Sequence, residues 1–161
     1  MIDQSISTII FDHITKAVGL GMELKYNKTF VEYFGLVPGE SQMLMINSTK
    51  LVKKLFMDNR IENEGTNRTV YNIKNFAVCS FLNNRLLSKI YSVFYEEFVG
   101  NSTVFKCPIQ PGVYYLRNNL REIVVPLFHP PGKFRLIVRL KTEAEGSFTV
   151  EITWRYRVIR T

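Results

Sequence analysis

The chain has 161 residues, 46% of them hydrophobic and 13% aromatic, and a net charge of +7 at pH 7. That length suits one domain spanning 1–161 with a core large enough to need no metal. The apolar content excludes intrinsic disorder, and no apolar run reaches the roughly 18–20 residues of a membrane-spanning helix. The charge admits nucleic acid, an anionic membrane, an acidic ligand or plain solubility. Its basic residues are dispersed rather than clustered, which favours solubility.

In chain order, residues 5–18 form either a short helix or a strand. Residues 22–36 read as extended, with Tyr26, Phe30, Val31, Tyr33 and Phe34 as strand formers closed by Gly35 and Pro38-Gly39. Residues 42–46 and 51–57 are two further extended segments. Asn63, Gly65 and Asn67 mark a loop before a strand over 70–78. An amphipathic helix is expected over 84–98, where Leu87, Ile90, Tyr91, Phe94 and Phe98 share one face and Gly100 stops it. Short strands follow at 113–116 and 122–127.

The clearest signal lies at the C-terminal end. Over 133–141, Phe134, Leu136, Val138 and Leu140 alternate with Arg135, Ile137, Arg139 and Lys141. Over 147–159, Phe148, Val150, Ile152, Trp154, Tyr156 and Val158 alternate with Thr149, Glu151, Thr153, Arg155 and Arg157. A period of two sends one set to a core and the other to water. The segment 143–146 joins the two strands as a hairpin. Many short strands with one helix predict a mostly β, immunoglobulin-like sandwich.

The two cysteines, Cys79 and Cys107, permit either a disulfide or two free thiols. A bond would close a loop of about 29 residues and stabilise the fold by about 3–4 kcal/mol in the chain-entropy model. Four Asn-x-Ser/Thr triplets, at Asn27, Asn47, Asn67 and Asn101, exceed what this composition gives by chance. Each predicts a surface glycan on a secreted chain. The N-terminus does not read as a signal peptide, because Asp3 and Asp12 interrupt its apolar stretch.

Reactive constellations are absent from the sequence. His13 has no metal-ligand neighbour and His129 stands in a Pro-rich turn. There is no H-E-x-x-H, C-x-x-C or G-x-S-x-G. Gly19-Leu20-Gly21 lacks the later glycine of a dinucleotide site. No enzyme activity, cofactor or metal is expected. Arg135, Arg139, Lys141, Arg155 and Arg157 form a basic stripe on one hairpin face, but the aromatics alternate to the other face. Base stacking is therefore not served, and no nucleic-acid partner is expected.

Two stretches resemble a known family. Cys79-Ser80-Phe81-Leu82-Asn83-Asn84 ends a strand-like run, and Cys107-Pro108-Ile109-Gln110-Pro111-Gly112-Val113-Tyr114-Tyr115-Leu116 follows. Then come Val125-Pro126 and Pro131-Gly132-Lys133-Phe134. In that order, over 45–160, they resemble an insect family of secreted proteins of unknown function. That family includes CheB-type chemosensory proteins and is related to the ML lipid-recognition superfamily. The resemblance implies a disulfide between Cys79 and Cys107 and an ML-like sandwich. It also implies a lipid or other hydrophobic small molecule held between the sheets. The leader and the extra upstream cysteines usual in that family are not visible in this sequence.

Expected cavity-lining residues are Phe134, Leu136, Val138, Phe148, Val150, Ile152 and Trp154, with Tyr114, Val124, Phe94 and Phe76 beside them. Trp154 and Tyr114 would supply polar handles. The expected role is a secreted monomer that binds a hydrophobic ligand. The alternatives are a filled-core protein-interaction module acting at a cell-surface receptor, and a small basic nucleic-acid binder.

Overall fold

The computed structural model describes residues 15–41, 43–84, 107–117, 122–124 and 129–160. Among the described residues, nine strands fall in the order β1 (Thr15–Tyr26), β2 (Val31–Leu36), β3 (Met43–Ser48), β4 (Phe56–Asn63), β5 (Thr69–Ala77), β6 (Gly112–Arg117), β7 (Glu122–Val124), β8 (Gly132–Lys141) and β9 (Val150–Arg160). One short helix, α1 (Val78–Asn83), follows β5 directly. The amphipathic helix expected over 84–98 lies outside the described residues, as do residues 1–14.

The strands form two antiparallel sheets. The larger runs β5-β4-β8-β9-β1-β7 and the smaller β2-β3-β6. This is the mostly β sandwich that the alternation predicts. β8 and β9 pair continuously from Gly132↔Val158 to Leu140↔Val150. That register places Leu136 beside Trp154 and Val138 beside Ile152. On the facing sheet, Leu44, Ile46, Tyr114 and Leu116 pair across β3 and β6. The core joins the two faces: Val31, Phe34 and Leu44 meet Val150, Ile152 and Trp154, each 5% exposed or less.

Several boundaries differ from the sequence reading. The extended run 22–36 is two strands in different sheets, separated by a turn in which the Asn27 carbonyl accepts the N–H groups of Phe30 and Val31. The strand expected over 51–57 begins only at Phe56, and Val52 makes a single isolated bridge to Ile109. The strand then continues through Asp58, Asn59, Arg60 and Glu62, which read as polar. These residues are tolerated because β4 pairs on both sides and its outward charges find partners. Pro38-Gly39 does turn the chain: Gly39 has φ +81, and the Glu40 N–H reaches the Val37 carbonyl at 3.0 Å.

The outward face of the larger sheet is a lattice of alternating charge. Glu62 lies between Arg60 at 2.9 Å and Arg135 at 3.3 Å, Glu151 pairs with Arg139, and Glu64 pairs with Arg155. Lys141 is buried and spends its ammonium on Asp58 (3.0 Å), the Asn75 amide oxygen (2.6 Å) and the Ala144 carbonyl (2.8 Å). Asn75 is in a left-handed conformation (φ 56), and its N–H donates to Asp58 at 2.9 Å. One buried cation therefore ties β4, β5, β8 and the β8–β9 turn together.

Burial opposes ionisation of Asp58. The Asn75 N–H, the Lys141 contact and the charges of Lys141 and Lys74 outweigh it and hold the carboxyl below its ordinary 3.8. A carboxylate depressed in the folded state stabilises the fold above its unfolded pKa and loses that contribution as pH falls through the folded one. Asp58→Asn is expected to destabilise by about 1–3 kcal/mol at pH 7, since Lys141 keeps only neutral partners. It is also expected to flatten the loss of stability below pH 4. Urea unfolding of both proteins at pH 7 and at pH 3 checks this; parallel losses would contradict it.

Candidate functional site

Between the sheets lies a cavity of about 80 Å³. β2 and β3 supply Val31, Phe34, Ile46 and Ser48, with Phe30 from the turn before β2. β6 supplies Tyr114 and Leu116, while β8, β9 and their connection supply Leu140, Thr142, Thr149, Val150 and Ile152. The remaining wall is Val52, Leu55 and Ile109. The lining is almost wholly apolar, as expected where inward-facing alternate residues of two sheets meet. Its few polar groups are partly engaged already. The Ser48 hydroxyl donates to the Lys50 carbonyl, Thr149 to the Leu140 carbonyl, and Tyr114 to the Gln110 carbonyl at 2.6 Å.

Three irregular segments are tied together behind the third wall. Val52 and Ile109 exchange two backbone hydrogen bonds, of 2.9 and 2.8 Å. The Val78 N–H donates to the Leu55 carbonyl at 2.9 Å. Cys79 and Cys107 are bonded as the resemblance implies, their Cα atoms 5.5 Å apart. The disulfide thus joins α1 to the segment leading into Ile109, and through it backs one wall of the cavity. The Lys50 ammonium lies 5.0 Å from the centre of the ring of Phe30, one of the lining residues.

The expected cavity residues divide. Tyr114, Val150 and Ile152 line it. Trp154 is 4% exposed but belongs to the packed core, with Leu136 and Val138 against that core. Phe134 is fully buried at the far end of the same face, where His129 crosses its ring edge-on at 4.6 Å and Tyr156 stacks at 5.8 Å. Phe148 departs from the alternation. It precedes β9 in the connecting loop, and Arg139 of the outward face sits over its ring at 5.8 Å. Phe76 packs against Phe81 at 5.6 Å. Val124 pairs with Lys16 at the sheet edge, and Phe94 and Asn101 lie outside the described residues.

What the sequence reading missed is the part of the cavity that β2, β3 and the turn before β2 supply. Phe30, Val31, Phe34 and Ile46 carried a signal only as strand formers. A bulge between Val31 and Tyr33 puts both Val31 and Phe34 inward and breaks the period of two. Asn59 was also missed. It faces inward between Val138 and Ile73, and its amide oxygen is buried without a hydrogen-bond partner. Leaving such an acceptor unsatisfied costs about 1–3 kcal/mol.

At the Phe134 end, the His129 Nδ1 lies 3.0 Å from the Pro130 carbonyl, which can only accept. In a neutral ring that leaves Nε2 to accept from the Tyr156 hydroxyl, 3.0 Å away. Burial pushes the Tyr156 phenol up to about 12. A raised pKa gives stability that is complete below the unfolded value near 10 and is lost as pH rises toward the folded one. Absorbance titration at 295 nm should show one tyrosine ionising near pH 12 or with unfolding. In Tyr156→Phe that late phase should vanish; its persistence would contradict this geometry.

The comparison with known families places the chain. The model of the family described as "Protein of unknown function (DUF1091)" matches residues 51–136, more than half of the chain, and the chain belongs to that family. The match takes in β4 to β7, both cysteines and the start of β8. No curated protein matches the chain.

Proposed function

We propose that this member of the DUF1091 family is an extracellular protein that binds a lipid or other hydrophobic small molecule between its two sheets. The observation that carries the reading is the apolar cavity walled by both sheets. A disulfide fits an oxidising compartment, and no described helix is long and apolar enough to cross a membrane. Kinship with insect chemosensory proteins and with the ML superfamily is part of this proposal; a ligand held between two sheets is what such kinship entails.

The size of the cavity narrows the ligand. Its roughly 80 Å³ is about half the volume that takes up benzene in an engineered core, and well below the ~300–1,000 Å³ of drug-sized sites. The buried part is therefore the end of an aliphatic chain rather than a fused ring system. About four buried methylenes contribute roughly 3 kcal/mol, so the rest of the affinity comes from the rim. Lys50, whose ammonium lies against the lining Phe30, would offer a cation to an acidic head group.

Among the described residues the polar lining comprises Ser48, Tyr114, Thr142 and Thr149, which supports binding rather than catalysis. Four of the five basic residues of the hairpin stripe already face a carboxylate, which weakens the case for nucleic acid. A protein-interaction role draws on one observation, the exposed Val113 and Tyr115 of β6.

The test uses cis-parinaric acid and energy transfer from Trp154, the chain's sole tryptophan. Saturable binding is expected for the native protein. Ile46→Phe fills the cavity and should weaken binding at least tenfold, while costing about 1–3 kcal/mol of stability from overpacking. Equal binding by a folded Ile46→Phe protein, or no binding by the native one, would overturn the proposal.

A further inference from the structure

The outer face of the smaller sheet is unusual for a surface. With Leu44, Ile46 and Ser48 turned inward on β3, and Tyr114 and Leu116 on β6, the alternate residues face outward. They are Met43, Met45 and Asn47 on β3, and Val113 and Tyr115 on β6, with Tyr33 across on β2. Val113 is 47% exposed and Tyr115 40%. Tyr33 folds back along its own strand: its hydroxyl donates to the Leu36 carbonyl at 2.8 Å, and a Cβ on Gly35 would sit 2.7 Å from that oxygen. The face is thus a largely apolar surface, with the Tyr33 side chain pinned down along it. Contiguous apolar surface of this kind is normally covered.

Asn47 stands on its central strand, β3. Its register partners are Tyr33 on one side and Val113 on the other, with Met45 and Tyr115 one pair along. It opens the triplet Asn47-Ser48-Thr49, with Thr49 exposed. Its amide nitrogen donates to Glu32 at 2.9 Å. The other two described triplets differ. Asn27 closes a turn by accepting the Thr29 N–H at 2.9 Å, and Asn67 occupies a left-handed turn position (φ 56). Neither lies on this sheet face.

We propose that Asn47 carries an N-linked glycan whose first N-acetylglucosamine lies on this face and covers it. The proposal rests on the extracellular reading but not on ligand binding. In the transfer, the Asn47 amide nitrogen loses one proton and bonds to the anomeric carbon of the sugar. The oligosaccharide comes from a polyprenyl-pyrophosphate donor, and the lipid pyrophosphate leaves. One N–H remains, enough to keep the hydrogen bond to Glu32 and so to fix the side-chain torsion that aims the sugar. The C–H edges of the pyranose then meet the neighbouring Tyr33, Val113 and Tyr115 side chains, and its hydroxyls face water. A glycan here does more than add solubility, because it replaces solvent over apolar side chains.

The experiment secretes the full chain from insect cells behind an added leader and measures occupancy at Asn27, Asn47 and Asn67 by glycopeptide mass spectrometry. Asn47 is expected to be occupied. Trimming with an endoglycosidase to a single sugar should leave anilinonaphthalene-sulfonate emission low. Asn47→Gln should raise it several-fold and produce self-association in light scattering. Thr49→Val, which keeps Asn47 but removes the acceptor hydroxyl, is expected to behave the same way. Asn27→Gln and Asn67→Gln should do neither. A bare Asn47 beside glycosylated Asn27 and Asn67 would overturn this proposal alone. Three bare sites would overturn the extracellular reading with it. An occupied Asn47 whose loss changes neither dye binding nor association would overturn the covering role.

Discussion

Side chains alternate across a strand, so pairing β8 with β9 in one register commits both strands at once. Leu136, Val138 and Leu140 go to the same side as Trp154, Ile152 and Val150, while Arg135, Arg139 and Lys141 go to the other. A one-residue slip would bury the arginines and expose the tryptophan. The rest of the molecule follows from that commitment. β4 and β1 extend the sheet on either side, and the small sheet settles on the apolar face through Val31, Phe34 and Leu44. The opposite face is left to Asp58, Glu62, Glu64 and Glu151, which answer the basic residues. Apart from the buried Lys141–Asp58 contact, such surface pairs individually contribute at most about 1 kcal/mol. Their larger effect is on register, since a slip would also set like charges against each other.

The cavity arises where this order loosens. It lies at the Leu140–Val150 end of the hairpin, where the strands part into the β8–β9 connection and the small sheet hands over to irregular chain. Regular strands cannot close that end. The wall is made instead by Val52, Leu55 and Ile109, segments held by isolated backbone hydrogen bonds and backed by the disulfide. The chain thus places its disulfide behind irregular segments rather than within a sheet, and the cavity has one irregular wall.

The sequence was most legible where periodicity was strict. The C-terminal hairpin could be read because both strands keep a period of two for most of their length. It failed at Phe148, where the strand begins three residues late, at Val150, and the ring turns to Arg139. β4 was misplaced because Asp58, Asn59, Arg60 and Glu62 look like loop residues until strands stand on both sides to answer them. The cavity was half legible. Tyr114, Val150 and Ile152 follow from alternation, but the contribution of Phe30, Val31 and Phe34 depends on a turn and a bulge that pattern reading does not see. The pairing of Cys79 with Cys107 came from the resemblance, not from cysteine count.

Whether the space between the sheets takes up a hydrophobic molecule can be measured on the purified protein. Native mass spectrometry of the chain secreted from insect cells, with organic extraction of whatever accompanies it, tests this most directly. A stoichiometric adduct of aliphatic character, released on unfolding, is expected. A clean unliganded mass that stays unchanged when mixed lipids are added would contradict it.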